Sequence, residues 1–158
     1  MKVLFVGSEV TPYIKSGGLA DVLGSLPKAL VEQGVECSVV LPKYRDMKLA
    51  ETLEYVTSYY IWVSWRREYC GIFKTELDGV TFYFIDNEQY FGRPGLYSYD
   101  DDYERFAFFD FAVLEMLSHL NIKPDILSLH TKILITRLSA MKKLSFQPLK
   151  TILSLPML

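Results

Sequence analysis

The first forty residues alternate between strand-like and helix-like patterns in an order that few folds accept. Residues Lys2 to Val6 form a compact apolar run typical of a buried parallel strand, and the run stops at Gly7. After a loop, apolar side chains recur at helical spacing from Leu19 to Leu30, and Gly34 is well placed as the left-handed residue beyond the helix. A second strand-like run covers Glu36 to Leu41. The segment therefore predicts a βαβ unit with a right-handed crossover.

A proline lies inside the predicted helix of that unit. Pro27 stands between Leu26 and Leu30, two of the apolar residues that define the helical pattern. Because proline removes one backbone hydrogen bond, it predicts a bent helix or a break near Gly24.

The middle of the chain has a different character. Residues 53–85 are rich in β-branched and aromatic side chains, and they are divided by Gly71 and by the hairpin signal Asp78-Gly79. This pattern predicts three strands that are at least partly antiparallel. Residues 87–99 contain two glycines and a proline, which predict a loop.

The last part returns to alternating helices and strands. Asp101 followed by Glu104 has the form of a capping box, and an apolar helical stripe runs from Phe106 to Leu120. A strand at 126–129, a helix at 133–143 and a strand at 149–155 complete the predicted order. The whole order predicts an α/β fold: a Rossmann-like, mostly parallel sheet with helices on both faces and an antiparallel β insertion.

Composition excludes several classes of protein. A chain of 158 residues with 50% hydrophobic and 23% charged side chains can fill one core and is not disordered. Its 17 basic and 19 acidic residues give a net charge of −2, which does not favour nucleic acid as a partner. Six bases against one acid after residue 120 are spaced along apolar segments, which indicates a solvated surface.

Two further features of the sequence concern metal binding and cellular location. Cys37 and Cys70 lack the spacing of a metal or redox pair, and only His119 and His130 are available as further ligands, so we expect no metal site. The N-terminal apolar run is too short for a signal peptide, and no window is apolar enough to span a bilayer. These features predict a cytoplasmic protein with reduced thiols and no membrane partner.

The stretch that can carry chemistry is Lys15 to Val22, Lys-Ser-Gly-Gly-Leu-Ala-Asp-Val, between the first strand and the first helix. Open parallel sheets bind ligands at this edge. Adjacent glycines let backbone N–H groups approach an anion at the positive end of the helix, and Lys15 adds a charge, so the chemistry suits a phosphate. Neither a dinucleotide fingerprint nor a P-loop motif is present. On spacing alone, a Gly17-Gly18 turn chosen only for its backbone angles explains the pattern equally well.

Three segments resemble one known family. Residues 1–30, MKVLFVGSEVTPYIKSGGLADVLGSLPKAL, closely resemble the N-terminus of bacterial glycogen synthases and plant starch synthases, which transfer glucose from ADP-glucose to an α-1,4-glucan. Residues 90–117, YFGRPGLYSYDDDYERFAFFDFAVLEML, are similar to a later segment of that family, and Leu-Pro-Lys-Tyr at 41–44 fits it as well. The resemblance favours the phosphate interpretation of the glycine loop.

The resemblance implies roles for four residues. Lys15 would contact the ADP-glucose phosphates or the reacting sugar, and the Gly18 amide would support the diphosphate. Asp21 would touch the nucleotide side, and Tyr97 would lie beside the donor. From the residues alone, Asp21 is an acid that favours the helix dipole and Tyr97 is a surface aromatic. The family reaction retains the anomeric configuration without a cofactor or metal, and Lys15 would stabilise the leaving diphosphate.

The resemblance ends after Ile126. The family pattern Ile-His-x-(His/Asn)-Asp-Trp is replaced by Leu-Ser-Leu-His-Thr-Lys, in which His130 keeps one position and Thr131-Lys132 replace the Asp-Trp pair. A family histidine that reaches the transferred glucose is replaced by Pro156. His130 on its own is more typical of a structural histidine at a strand end.

The resemblance also implies a GT-B fold, with two Rossmann-like domains around a cleft. We expect residues 1–158 to be part of the N-terminal domain, with the C-terminal donor-binding domain absent and the chain inactive alone as a hexosyltransferase. The alternatives are a non-catalytic binding or interaction module of the same family and an unrelated sugar-nucleotide-binding or phosphate-binding Rossmann domain. The partners would be ADP-glucose, an α-1,4-glucan and a second copy, because apolar residues near Leu158 would leave an exposed C-terminal edge.

Overall fold

The computed structural model describes residues 1–130 and the backbone of Lys150–Leu153, so the helix predicted at 133–143 lies outside the described residues. The strands of the described part are β1 (Lys2–Gly7), β2 (Glu36–Pro42), β3 (Glu54–Val63), β4 (Arg66–Leu77), β5 (Val80–Asp86), β6 (Ile126–His130) and β7 (Lys150–Leu153). The helices are α1 (Gly18–Glu32), α2 (Glu88–Phe91) and α3 (Asp102–His119), with a 3-10 turn at Ala50–Thr52.

All seven of these strands lie in one sheet, in the order β3-β4-β5-β2-β1-β6-β7. Strand β1 pairs in parallel with β2 on one side and with β6 on the other. Strands β5 and β7 extend the parallel part, whereas β3 and β4 are antiparallel. The predicted βαβ unit and the antiparallel insertion are therefore confirmed.

Helices cover both faces of the sheet. On one face Tyr13, in the loop before α1, packs its ring 5.0 Å from the rings of Phe82 and Phe84. On the other face the buried Tyr59 hydroxyl donates to the Ala112 carbonyl of α3 at 2.8 Å. Tyr59 pairs with Cys70 of β4, and Phe84 pairs with Phe73 of β4. Because Cys70 and Phe73 are an odd number of residues apart on one strand, Tyr59 and Phe84 lie on opposite faces of the sheet.

The turn between β3 and β4 corrects one predicted boundary. The three strands are present, but the first two meet at the turn around Ser64, whose φ is 58°, and not at Gly71. Gly71 lies inside β4, where a Cβ atom would come within 2.8 Å of the Tyr69 hydroxyl oxygen. The glycine therefore marks a close approach of neighbouring groups. The predicted hairpin turn at Asp78-Gly79 is confirmed, with φ values of 52° and 77°.

Helix α1 is continuous through Pro27, so of the two predicted outcomes the break near Gly24 is excluded and the bend stays a prediction. Gly24 has a packing role: a Cβ atom there would overlap the Thr11 hydroxyl and approach the Thr11 carbonyl oxygen to 2.8 Å. The end of the helix is as predicted, because Gly34 has a φ of 80° and its N–H donates to the Val31 carbonyl.

The capping box does not form. Asp101 precedes α3 as predicted, but its carboxylate accepts two bonds from the Arg93 guanidinium, at 2.6 and 2.7 Å. Glu104 accepts from Arg66 and from the Tyr90 hydroxyl. Two arginines and a tyrosine hydroxyl therefore replace the backbone amides that a box would use.

The predicted loop at 87–99 contains the short helix α2. Asn87 begins it, because its side-chain oxygen accepts the Tyr90 backbone N–H at 3.0 Å.

Candidate active site

The candidate site lies at the carboxyl edge of the parallel strands. Ser8 and Glu9 follow β1 directly, Tyr44 follows β2, and His130 ends β6 opposite Gly7. This is the edge at which open α/β sheets bind ligands.

Lys15 and Asp21 form an ion pair at the start of α1. The Lys15 Nζ atom lies 2.6 Å from Asp21 Oδ2, and the two side chains are 51% and 54% exposed. The structure therefore brings together two of the four predicted site residues. An exposed pair of this kind contributes about 0–1 kcal/mol, so an anion can replace Asp21 beside Lys15 at small cost.

The two glycines are not required by their backbone angles. Gly17 has a φ of −153° in extended backbone, which any residue adopts, and Gly18 begins the helix. A Cβ atom on Gly18 would meet nothing within 4 Å, and one on Gly17 would have only an ordinary contact of 3.9 Å with Glu9. A turn chosen only for its conformation is therefore the wrong explanation of Gly17-Gly18. The loop instead has an open surface on which another molecule can approach the backbone.

Glu9 occupies part of the predicted anion site from within. It is 5% exposed, and its Oε2 atom accepts the backbone N–H groups of Ser16 and Gly17, the latter at 3.2 Å. Sequence reasoning missed this residue, although an acid directly after a buried strand and before a glycine loop is an available signal. The amides left to face a ligand begin at Gly18.

Tyr97 reaches the same edge through Ser8. The two hydroxyl oxygens lie 2.8 Å apart, and the Tyr97 ring lies 5.9 Å from that of Phe106. Burial raises the pKa of Tyr97 to about 12, so the phenol keeps its proton at neutral pH. The fourth predicted residue therefore joins Lys15, Gly18 and Asp21 at one edge of the sheet.

A buried arginine lies behind Tyr97, and sequence reasoning missed it as well. Arg105 of α3 is 0% exposed, and its guanidinium lies about 5 Å from the rings of Phe91, Tyr99 and Phe106. Its Nη1 atom donates to Asp102 at 3.0 Å, whereas Nε and Nη2 have no hydrogen-bond partner among the described residues.

His130 is held as part of the sheet. Its Nε2 atom lies 2.9 Å from Ser128 Oγ, and its ring stacks on Phe5 at 6.2 Å. Burial lowers the pKa of His130, which favours the neutral imidazole.

Two further findings concern residues 1–130. No cluster of three or more histidine, cysteine or acidic side chains in this part is arranged to hold a metal ion. None of its helices is long and apolar enough to cross a membrane.

A mostly parallel α/β sheet that carries this glycine loop after its first strand defines a Rossmann-like domain of the GT-B glycosyltransferase class. The family model for the starch synthase catalytic domain matches residues 2–153. The chain therefore belongs to the starch synthase catalytic domain family.

Curated relatives and a solved structure agree with this assignment. The chain is 52% identical over 132 residues to a glycogen synthase of Desulforamulus reducens, covering 82% of this chain and 28% of that protein. It is 55% identical over 129 residues to a glycogen synthase of Clostridium kluyveri, covering 80% and 27%. The catalytic domain of starch synthase IV from Arabidopsis thaliana, bound to ADP and acarbose, matches with a TM-score of 0.82 at 29% identity, covering 90% and 30%. The chain thus spans a little over a quarter of the length of these relatives.

Proposed function

We propose that the chain is the N-terminal part of a glycogen synthase that transfers glucose from ADP-glucose to the non-reducing end of an α-1,4-glucan. Relatives that are 52% and 55% identical to this chain are named glycogen synthases, and the plant relative was solved bound to ADP and acarbose. Within the proposal, residues 1–158 form part of the N-terminal catalytic domain, and a second domain supplies the remaining donor contacts. A cytoplasmic location fits the two cysteines, which are buried and free.

The observation that carries the proposal is the open backbone surface at Gly18 beside Lys15. Neither steric need nor backbone angle explains a glycine at this first helical residue, and a ligand that approaches the amide closely does. Lys15 would stabilise the charge that develops on the departing diphosphate. Asp21 would release Lys15 and contact the nucleotide side, and Tyr97 would lie beside the donor sugar.

The expected affinity of residues 1–158 alone for ADP-glucose is low. One helix N-terminus and one lysine supply about 1–3 kcal/mol, whereas micromolar binding needs about 8 kcal/mol. Binding should therefore be millimolar or weaker, should decrease with salt because the charges are exposed, and should decrease again in Lys15→Ala.

A chimeric enzyme tests the function directly. Residues 1–130 would replace the matching segment of the Desulforamulus reducens glycogen synthase, and incorporation of labelled glucose from ADP-glucose into glycogen would be measured. We expect transfer, with a loss of about tenfold or more in Lys15→Ala. Lys28→Ala is the matched control, because Lys28 also forms an exposed pair, with Asp78, away from the site.

The outcome separates the enzyme from the non-catalytic alternative. A folded chimera that transfers no glucose, or whose rate is equal with and without Lys15, would overturn the proposal and favour a binding module.

Self-association is a further part of the proposal. Among the described residues no strand pairs with the outer edge of β7, and such an edge is a template for pairing with a second copy. Light scattering over a range of concentrations should show a dimer or larger species, and a monomer throughout would contradict it.

A further inference from the structure

We propose that Ser8 and Glu9 are positioning residues that fix both substrate loops to the end of β1. Glu9 holds the glycine loop, and Ser8 holds the loop that carries Tyr97. As a result, the diphosphate is directed to Gly18 and Lys15 and away from the Ser16 and Gly17 amides. The ligand part of this inference rests on the proposed function; the loop part does not.

The burial of Glu9 supports a fixed role. A buried carboxylate is costly unless donors satisfy it, and Glu9 accepts two backbone N–H groups. These amides immediately precede α1, so the positive end of the helix also stabilises the carboxylate. Glu9 therefore occupies the place that an external anion takes at many helix N-termini.

The two acids of the site differ in how easily a ligand can replace them. Asp21 is half exposed and touches Lys15 from solvent, whereas Glu9 is buried beneath the loop. An incoming diphosphate can displace Asp21 without opening the fold. Replacing Glu9 would require the loop to leave its position, so Glu9 stays and the amide of Gly18 remains for the ligand.

Ser8 holds a distant part of the chain at the same end of β1. It is 89 residues from Tyr97, and the 2.8 Å contact between their hydroxyl oxygens joins the two loops. Strand β1 is a rigid base for this contact because it is hydrogen-bonded to strands on both sides, β2 and β6. Consecutive residues at one strand end therefore set the spacing between Tyr97 and the glycine loop.

Hydrogen exchange in the 158-residue chain without ligand tests the loop contact. In Glu9→Ala the Ser16 and Gly17 amides should exchange about tenfold faster or more, because each loses a bond to a charged acceptor. Glu9→Gln keeps a side-chain oxygen of the same reach and should restore most of the protection. Glu76→Gln, a neutralised exposed acid on β4, is the matched control and should change neither amide. Unchanged exchange in Glu9→Ala would overturn the proposal.

Kinetics of the chimera test the consequence for the ligand. Glu9→Ala should raise KM for ADP-glucose about tenfold with a smaller effect on kcat, and Glu9→Gln should recover most of it, a pattern that general destabilisation does not produce. Ser8→Ala should free Tyr97 and raise KM while the Ser16 and Gly17 amides stay protected. If the unsubstituted chimera is active and Glu9→Ala leaves KM unchanged, the directing role is wrong. If that chimera is inactive while Glu9→Ala exposes the two amides, the proposed function fails and the loop contact stands.

Discussion

Replacing Gly18 by alanine tests whether this glycine is needed to bind a ligand or to form the fold. The added methyl group would meet nothing within 4 Å, and the residue already has the conformation of a first helical residue. The substitution should therefore leave the fold intact. On the proposed function, it would place a side chain on the surface where the diphosphate approaches the amide.

The expected change in stability is small and favourable. Alanine is preferred to glycine by about 1 kcal/mol in a helix interior and by less at its first residue, so we expect a gain of about 0.5 kcal/mol. For a chain of this size this corresponds to about 1–2 °C in Tm. At two other glycines the same substitution should lower the stability. Gly24→Ala should cost about 1–3 kcal/mol because its methyl group would overlap Thr11, and Gly34→Ala about 1 kcal/mol because its φ is 80°.

Urea denaturation followed by circular dichroism gives the three stabilities, and ligand-observed NMR with ADP gives the relative affinities. We expect Gly18→Ala to be at least as stable as the unsubstituted chain and to bind ADP about tenfold more weakly. The other two variants should lose stability. A Gly18→Ala chain that loses 1 kcal/mol or more, or that binds ADP as before, would refute the reasoning that assigns this glycine to a ligand.

Three other predictions concern single groups. Tyr97→Phe should cost about 0.5–1.5 kcal/mol through the lost Ser8 contact, measured by urea denaturation, and difference absorbance should show one fewer phenol titrating near pH 12. The folded-state pKa of His130 is lowered, so its contribution to stability is full above pH 6.5 and is lost as the pH decreases toward the folded-state pKa; Tm should therefore drop less between pH 7 and pH 5 in His130→Gln. Cys37 and Cys70 are buried and burial raises the pKa of both thiols, that of Cys70 to about 12, so a thiol reagent at pH 8 should label neither until urea unfolds the chain.

Local sequence signals predicted the elements whose structure is set by neighbouring residues. Gly34 and the Asp78-Gly79 pair were located correctly because positive φ angles are a property of one or two residues. The βαβ unit was predicted for a similar reason, since apolar periodicity records which side of each element is buried. Gly71 and Gly24 were misread because each allows a close approach from another element, of Asp86 of β5 to Gly71 and of the Thr11 loop to Gly24, which no local pattern records.

The missed parts of the site depend on contacts between distant residues. Ser8 meets Tyr97 across 89 residues, and Arg105 lies among rings from α2 and the loop after it. The capping box failed because Arg93, eight residues earlier, offers Asp101 two charged donors. The spacing of residues along the chain indicates which local contacts are possible. The fold brings other residues close to the same groups, and these can be the stronger partners.

The arrangement of charge explains how Lys15 and Glu9 can coexist in the proposed anion site. If both acids were exposed, a diphosphate would meet two like charges beside a single lysine. Here Glu9 is buried against two amides at the helix start, so its charge is already compensated by the backbone. Asp21 remains on the surface, where it keeps Lys15 paired at little cost until an anion replaces it. On the proposed function, the site exchanges one exposed carboxylate for the diphosphate while the buried one keeps the Gly18 amide in place to receive it.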